Sequence, residues 1–75
     1  MENYHEMITI NPEVRFGKPC IIGTRIAVED ILSWLASGMS YNEILEDYPL
    51  LKKEQILAAL GFAAHREQSV RILVA

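Results

Sequence analysis

The segment 28–38, VEDILSWLASG, decides the fold because its apolar residues recur at the spacing of one helix face. Residues at i, i+3, i+4, i+7 and i+8 fall on one side of an α-helix. Glu29 and Asp30 in the first turn are favoured by the helix dipole, and Gly38 suits a left-handed C-cap. The segment therefore predicts an amphipathic helix that ends just before Gly38. Its predicted apolar face consists of Val28, Ile31, Leu32, Leu35 and Ala36.

Two more helices are predicted downstream of this segment. Ser40 and Glu43 match a capping box, in which each side chain accepts a hydrogen bond from the other residue's backbone N–H. Pro49 ends this second helix after about two turns. A third helix opens at Lys52, which supplies no side-chain oxygen as a cap, and keeps helical spacing to Ala64. The turn of about four residues between them gives the pair helix-turn-helix spacing.

The first quarter of the chain predicts a short β-hairpin. The run 7–10 is rich in β-branched residues and ends at Asn11-Pro12. A second apolar pair, Val14 and Phe16, leads into the turn signal Gly17-Lys18-Pro19, and the apolar run 20–22 follows. The simplest arrangement is a pair of short strands that turn across Gly17-Lys18 and lie against the helices, because an isolated hairpin is only marginally stable. The apolar end of the chain, 70–75, is predicted to be strand-like, able to pair with the hairpin edge or with another chain.

Length and composition limit what the chain can do alone. Its 75 residues, 51% of them apolar, predict one small domain over 1–75. So short a chain buries only about 60% of its unfolded surface, and one cysteine, Cys20, allows no internal disulfide. We read Cys20 as a small core residue. A homo-oligomer, most simply a dimer, or a bound partner is expected to cover the remaining apolar surface.

The same data disfavour several function classes. The net charge of −3 argues against indiscriminate phosphate binding. No apolar stretch is long enough for a membrane span and the start has no secretion-signal layout, so a cytoplasmic protein without membrane contact is expected. Since no Cys/His cluster has metal-ligand spacing, no metal or cofactor is expected. Glu46 and Asp47 point apart rather than into a cleft, and a domain this small has little room for a pocket, which predicts a non-enzyme.

Short motifs that follow one another in a fixed order carry a family resemblance. They are INP at 10–12, GKP at 17–19, GTRI at 23–26, GMS at 38–40 and YPL at 48–50. With these motifs the segment 8–64 resembles the domain-of-unknown-function 433 family. The chain departs from that family at Lys52, where a threonine or serine cap is usual. The end of the third helix and the apolar tail, 65–75, follow no pattern of the family.

The resemblance implies a fold and a role. The implied fold is mainly α: a three-helix, helix-turn-helix domain of homeodomain-like or winged-helix-like type, here with a short N-terminal β-hairpin. Such domains are often placed as the antitoxin of a bacterial type II toxin–antitoxin pair, beside a PIN-like ribonuclease toxin. The competing hypothesis is a DNA-binding transcriptional repressor that acts as a dimer, and a purely structural domain of a larger assembly is a third possibility.

The Gly23-Thr24-Arg25 motif is the most pointed candidate site. Arg25 is suited to pair in bidentate fashion with a partner's carboxylate or with a phosphate. In the structural alternative, Gly23 supplies a positive φ, Thr24 a local turn bond, and Arg25 an internal ion pair with Glu29 or Asp30.

Other candidates lie on the predicted helices and on the tail. Lys52 and Lys53 could meet phosphates at the start of a recognition helix while Gln55 reaches a base; the alternative is a solvated helix start. Trp34 is either a buried edge residue or an exposed interface anchor. The predicted partner-binding residues of the apolar tail are Arg71, Ile72 and Leu73.

Overall fold

The computed structural model describes the backbone of residues 4–74 and the side chains of residues 6–67. In this part of the chain a short two-stranded β-hairpin precedes three helices of seven or more residues, which confirms the predicted mainly α class. The elements in order are α1 Tyr4–Met7, β1 Ile8–Thr9, β2 Cys20–Ile21, α2 Val28–Ala36, α3 Tyr41–Asp47 and α4 Lys53–Val74.

Helix α2 has the bounds that its apolar spacing predicts. At its start the Asp30 carboxylate accepts a hydrogen bond from the Ala27 N–H at 3.0 Å, which satisfies one of the free donors of the first turn. At its end Gly38 has a φ of +103°, the left-handed conformation predicted for the C-cap. Both ends of α2 are thus fixed by local interactions.

The predicted capping box at the start of α3 is confirmed. The Glu43 N–H donates to Ser40 Oγ at 3.1 Å, and the Ser40 N–H donates to Glu43 Oε1 at 2.8 Å. The helix ends at Asp47, two residues before Pro49.

Helix α4 is much longer than predicted. It runs for 22 residues to Val74, so the prediction of a strand-like end over 70–75 is wrong as far as Val74; Ala75 lies outside the described residues. Extending an existing helix adds one hydrogen bond per residue without the cost of nucleation, and this gain outweighs the weak strand preference of β-branched residues.

The hairpin is present, with shorter strands and a longer connection than predicted. Ile8 lies opposite Ile21 and Thr9 opposite Cys20 in an antiparallel pair. Residues 10–19 connect the strands, so Val14 and Phe16 lie in this connection, and the predicted tight turn across Gly17-Lys18 is wrong. The backbone at 15–17 is left-handed, and this conformation keeps the segment before Pro19 from pairing as a β-strand.

The core lies where β2, α2, α3 and α4 meet. Cys20, predicted as a core residue, is buried there. Because β2 and the start of α2 are both anchored in this core, the turn between them and the loop before β2 are held side by side at the surface. The buried cluster consists of Ile21, Val28, Ile31, Ile44, Leu51, Ile56 and Ala59.

Candidate functional site

The loop before β2 holds an exposed aromatic ring on an unusual backbone. Arg15, Phe16 and Gly17 have successive φ values of +52°, +60° and +83°. A left-handed conformation costs a non-glycine residue about 1–2 kcal/mol because Cβ approaches the carbonyl oxygen. The Phe16 side chain recovers none of this cost by burial, since the residue is 97% exposed. Backbone strain at a fully exposed aromatic residue marks this loop as a candidate functional element.

Two ion pairs tie this loop to the first turn of α2. Arg15 Nη1 donates to Asp30 Oδ2 at 3.0 Å and to the Arg25 carbonyl at 2.7 Å. Lys18 Nζ lies 3.2 Å from Glu29 Oε2. The strained loop is therefore held in place from both sides of Phe16.

The electrostatics of Asp30 keep the first of these ion pairs intact. Partial burial opposes ionisation of this carboxyl group, but hydrogen bonds from Arg15 and the Ala27 N–H, with the charges of Arg15 and Lys18, outweigh burial and lower the pKa of Asp30. The hydrogen bond to Asp30 and its negative charge raise the pKa of Arg15. Both groups are charged at neutral pH.

The turn between β2 and α2 is fixed by its own residues. Gly23 has a φ of +77°. Thr24 Oγ1 donates to the Ile21 carbonyl at 2.8 Å and accepts from the Ile26 N–H at 3.0 Å. Gly23 and Thr24 thus have the local roles of the structural alternative, and they make the turn rigid.

Arg25 does not form the internal ion pair with Glu29 or Asp30 that the structural alternative predicts. Its expected internal partners, Glu29 and Asp30, pair instead with Lys18 and Arg15. The Arg25 side chain is exposed and has no ion-pair partner among the side chains from 6 to 67. The predicted internal pair is wrong because Arg15 and Lys18, on the loop beside the turn, reach these carboxylates instead.

The structure brings the three predicted DNA-binding residues together at the start of α4, where the side chains of Gln55 and Lys53 have contacts within the chain. Gln55 Oε1 accepts a hydrogen bond from the Lys52 N–H at 2.9 Å, so the glutamine caps the helix that lacks a short capping residue. Lys53 Nζ lies 6.0 Å from the centre of the Tyr41 ring. Lys52 and Lys53 are exposed.

Trp34 is half-buried and packs within the chain. Its ring stacks on that of Tyr48, with centroids 4.3 Å apart and an interplanar angle of 13°. Trp34 is therefore placed as an edge residue of the core, and not as an exposed interface anchor. The predicted partner-binding residues Arg71, Ile72 and Leu73 lie in the last turns of α4, and their side chains are outside the described ones.

A groove of about 240 Å³ lies between α2 and α4. Most of its lining is apolar, and Arg66 at its edge has its guanidinium 5.4 Å from the centre of the Phe62 ring. The sequence singled out neither this groove nor Phe16, because both depend on how distant segments pack. The lining residues are Pro19, Val28, Glu29, Leu32, Phe62, Ala63, Arg66 and Glu67.

None of the helices in the described part of the chain has the length and apolar character needed to cross a lipid bilayer.

Comparison with known proteins identifies the family. Residues 8–63 match the family described as "Protein of unknown function (DUF433)". The chain belongs to this family. The DUF433 match includes the hairpin, the Phe16 loop, the Arg25 turn, α2 and α3. It ends within α4, so the last turns of that helix lie beyond the matched segment.

Two related proteins extend this result. The uncharacterized protein y4eO of Sinorhizobium fredii is 36% identical over 58 residues, which are 77% of this chain and 26% of that protein. This DUF433 chain therefore spans about a quarter of the length of that relative. The crystal structure of a DUF433 member from Anabaena variabilis superimposes with a TM-score of 0.78 at 30% identity, covering 99% of this chain and 78% of that one.

Proposed function

We propose that the chain is a non-enzymatic module that binds another protein through the turn 22–25. The observation that carries this proposal is Arg25, an exposed cation without an ion-pair partner among the described side chains, on a turn that Thr24 holds rigid. Ile22, at the other end of the turn, is 52% exposed and adds an apolar contact beside the charge.

The chemistry of the turn favours a carboxylate on the partner. A guanidinium group binds a carboxylate through two parallel hydrogen bonds, and arginine is enriched among the residues that dominate binding energy. Because the turn is already ordered, little conformational entropy is lost when the partner binds. Exposed arginine and isoleucine on a fixed turn fit a protein surface that presents acids beside an apolar patch.

The specific role that we propose is the antitoxin of a bacterial type II toxin–antitoxin pair. The family resemblance supports this role, with a PIN-like ribonuclease as the toxin. A nuclease site that holds metal ions through carboxylates offers the groups to which Arg25 would bind. In this proposal the chain blocks the ribonuclease by occupying that acidic site.

Co-expression with a PIN-like ribonuclease encoded by the adjacent gene tests this proposal. We expect the wild-type chain to co-purify with the ribonuclease and to suppress its RNA cleavage. Arg25→Ala should weaken the complex by about tenfold or more, and Arg25→Lys should weaken it less because the charge remains. Lys52→Ala, which removes an exposed cation elsewhere, is the matched control and should bind as the wild type does. Equal affinity of Arg25→Ala, or unchanged cleavage in the presence of the chain, would refute the proposal.

A second candidate function is the dimeric DNA-binding repressor, favoured by the exposed Lys52 and Lys53 at the N-terminus of α4. Glu54 is acidic and the side chain of Gln55 caps the helix, so Lys52 and Lys53 are the residues of this helix start that remain to contact phosphates. A gel shift on the DNA upstream of the gene, repeated over a salt series, tests this function. Replacing both lysines with alanine should lower the salt slope by about 2 if they contact phosphates, and no shift at low salt would exclude the function.

A further inference from the structure

The Phe16 loop and the groove between α2 and α4 are neighbours on one surface. Pro19, which lines the groove, follows Phe16 by three residues, and Glu29, which also lines it, is paired with Lys18. Phe16 nevertheless lies outside its own groove, since the residue is 97% exposed. The chain thus presents an aromatic side chain and an apolar groove next to each other, and the two do not fill one another.

We propose that two copies of the chain form a two-fold symmetric dimer in which Phe16 of each copy inserts into the groove of the other. A two-fold interface uses the same patch on both copies, so the inserted residue and its groove must lie on one patch, as they do here. Such an arrangement closes at two copies, whereas the same contact without two-fold symmetry would continue into larger assemblies.

The groove has the size and the lining to hold a phenyl ring. Its volume is about 240 Å³, and an apolar cavity of about 150 Å³ already binds benzene in an engineered protein. Leu32 and Ala63 offer aliphatic contacts, and Phe62 offers an aromatic one. These side chains come from α2 and α4, which pack against each other, so the groove is already formed before binding.

The charges of the loop and the groove are complementary. Arg15 and Lys18 flank Phe16, and residues 14–18 contain no acid. At the groove, Glu29 is already paired with Lys18 of its own chain, and Glu67 lies beside one cation, Arg66. Glu67 has no ion-pair partner among the described side chains. Arg15 and Lys18 are paired within their own chain, so insertion of Phe16 brings two cations that already have one ion pair each close to Glu67. The attraction between these cations and Glu67 favours one register of the two copies.

This dimer also accounts for the strain in the loop. A side chain that is held in place before binding loses little freedom when it inserts, and the ion pairs to α2 supply that rigidity. The left-handed backbone at Phe16 is then the cost of presenting the ring away from its own domain.

Analytical ultracentrifugation over a concentration series up to about 1 mM tests the dimer. Phe16→Ala removes the inserted ring, and Ala63→Phe fills the groove from within. Each should raise the dimer dissociation constant by about tenfold or more. Leu50→Ala is the matched control, because Leu50 is 84% exposed and lies elsewhere, between α3 and α4. Circular dichroism should show that all three variants keep the helical fold.

Mixing the two variants gives a sharper test. An equimolar mixture of Phe16→Ala and Ala63→Phe can form one intact Phe16–groove contact, so it should associate more tightly than either variant alone and less tightly than the wild type. A wild-type chain that stays monomeric, a dimer that neither variant weakens, or a mixture that gains nothing would overturn the proposal. Arg25→Ala should remain dimeric and Phe16→Ala should still bind the ribonuclease, so this inference and the proposed function can fail separately.

Discussion

Replacing Phe16 with glycine should make the monomeric chain more stable, although it removes a large apolar side chain. The 97% exposed ring contributes almost no burial within the chain, and its left-handed backbone costs about 1–2 kcal/mol. Glycine avoids this cost but adds about 0.4–1 kcal/mol of conformational entropy to the unfolded state. The expected gain in unfolding free energy is therefore about 0.8 kcal/mol, the midpoint of a range from about 0 to about 1.6 kcal/mol. For a domain of this size the midpoint corresponds to a rise in Tm of about 3–6 °C.

Chemical denaturation at concentrations at which the wild-type chain is monomeric measures this gain. Phe16→Ala is the matched control: it keeps the Cβ atom and hence the strain, so its unfolding free energy should stay within about 0.5 kcal/mol of the wild-type value. At high protein concentration the wild type should be more stable than Phe16→Gly, because only the wild type gains stability from dimer formation. A loss of about 1 kcal/mol or more in both variants at low concentration would show that Phe16 packs within its own chain, and would refute this reasoning.

Three further predictions concern the fold that supports the site. The pKa of Asp30 is lowered in the folded chain, so its ionised carboxylate stabilises the fold above about pH 4, and this stabilisation is lost as the pH falls below that value. Asp30→Asn removes this titration, so the stability measured by thermal melts should fall less steeply with pH in the acid range. Ser40→Ala removes the α3 cap and should cost about 0.5–2 kcal/mol in urea unfolding. Ile44→Ala should cost about 2–5 kcal/mol in the same assay, because Ile44 is fully buried. Leu50→Ala, at an exposed position, should change stability by less than about 0.5 kcal/mol; equal losses at positions 44 and 50 would contradict the assigned core.

The predicted parts of the fold are those whose signals are local. The start and end of α2 follow from apolar spacing and from Gly38, and α3 follows from the contact between Ser40 and Glu43, three residues apart. These interactions form between near neighbours in the chain, so their geometry can be read from spacing. The conformations of Gly23 and Thr24 were predictable for the same reason.

The candidate site was only partly predictable. Arg25 is identifiable from its motif, but the choice of cation for Asp30 and Glu29 is not, because Arg15 and Lys18 are 15 and 11 residues away from them in sequence. The groove between α2 and α4 is likewise a property of packed helices. The length of α4 does not follow from residue propensities, because the β-branched residues at 70–74 favour a strand while helix extension is cooperative.

The sequence by itself determined that 28–36 and 41–47 are helical, where these two helices begin and end, and which turn carries the Arg25 motif, since all of these depend on contacts within a few residues. Tertiary structure alone decided that Arg15 and Lys18 neutralise the first turn of α2, leaving Arg25 unpaired among the described side chains, and that Phe16 is exposed beside an apolar groove. The physical reason is that ion pairs and grooves form between segments that only folding brings together.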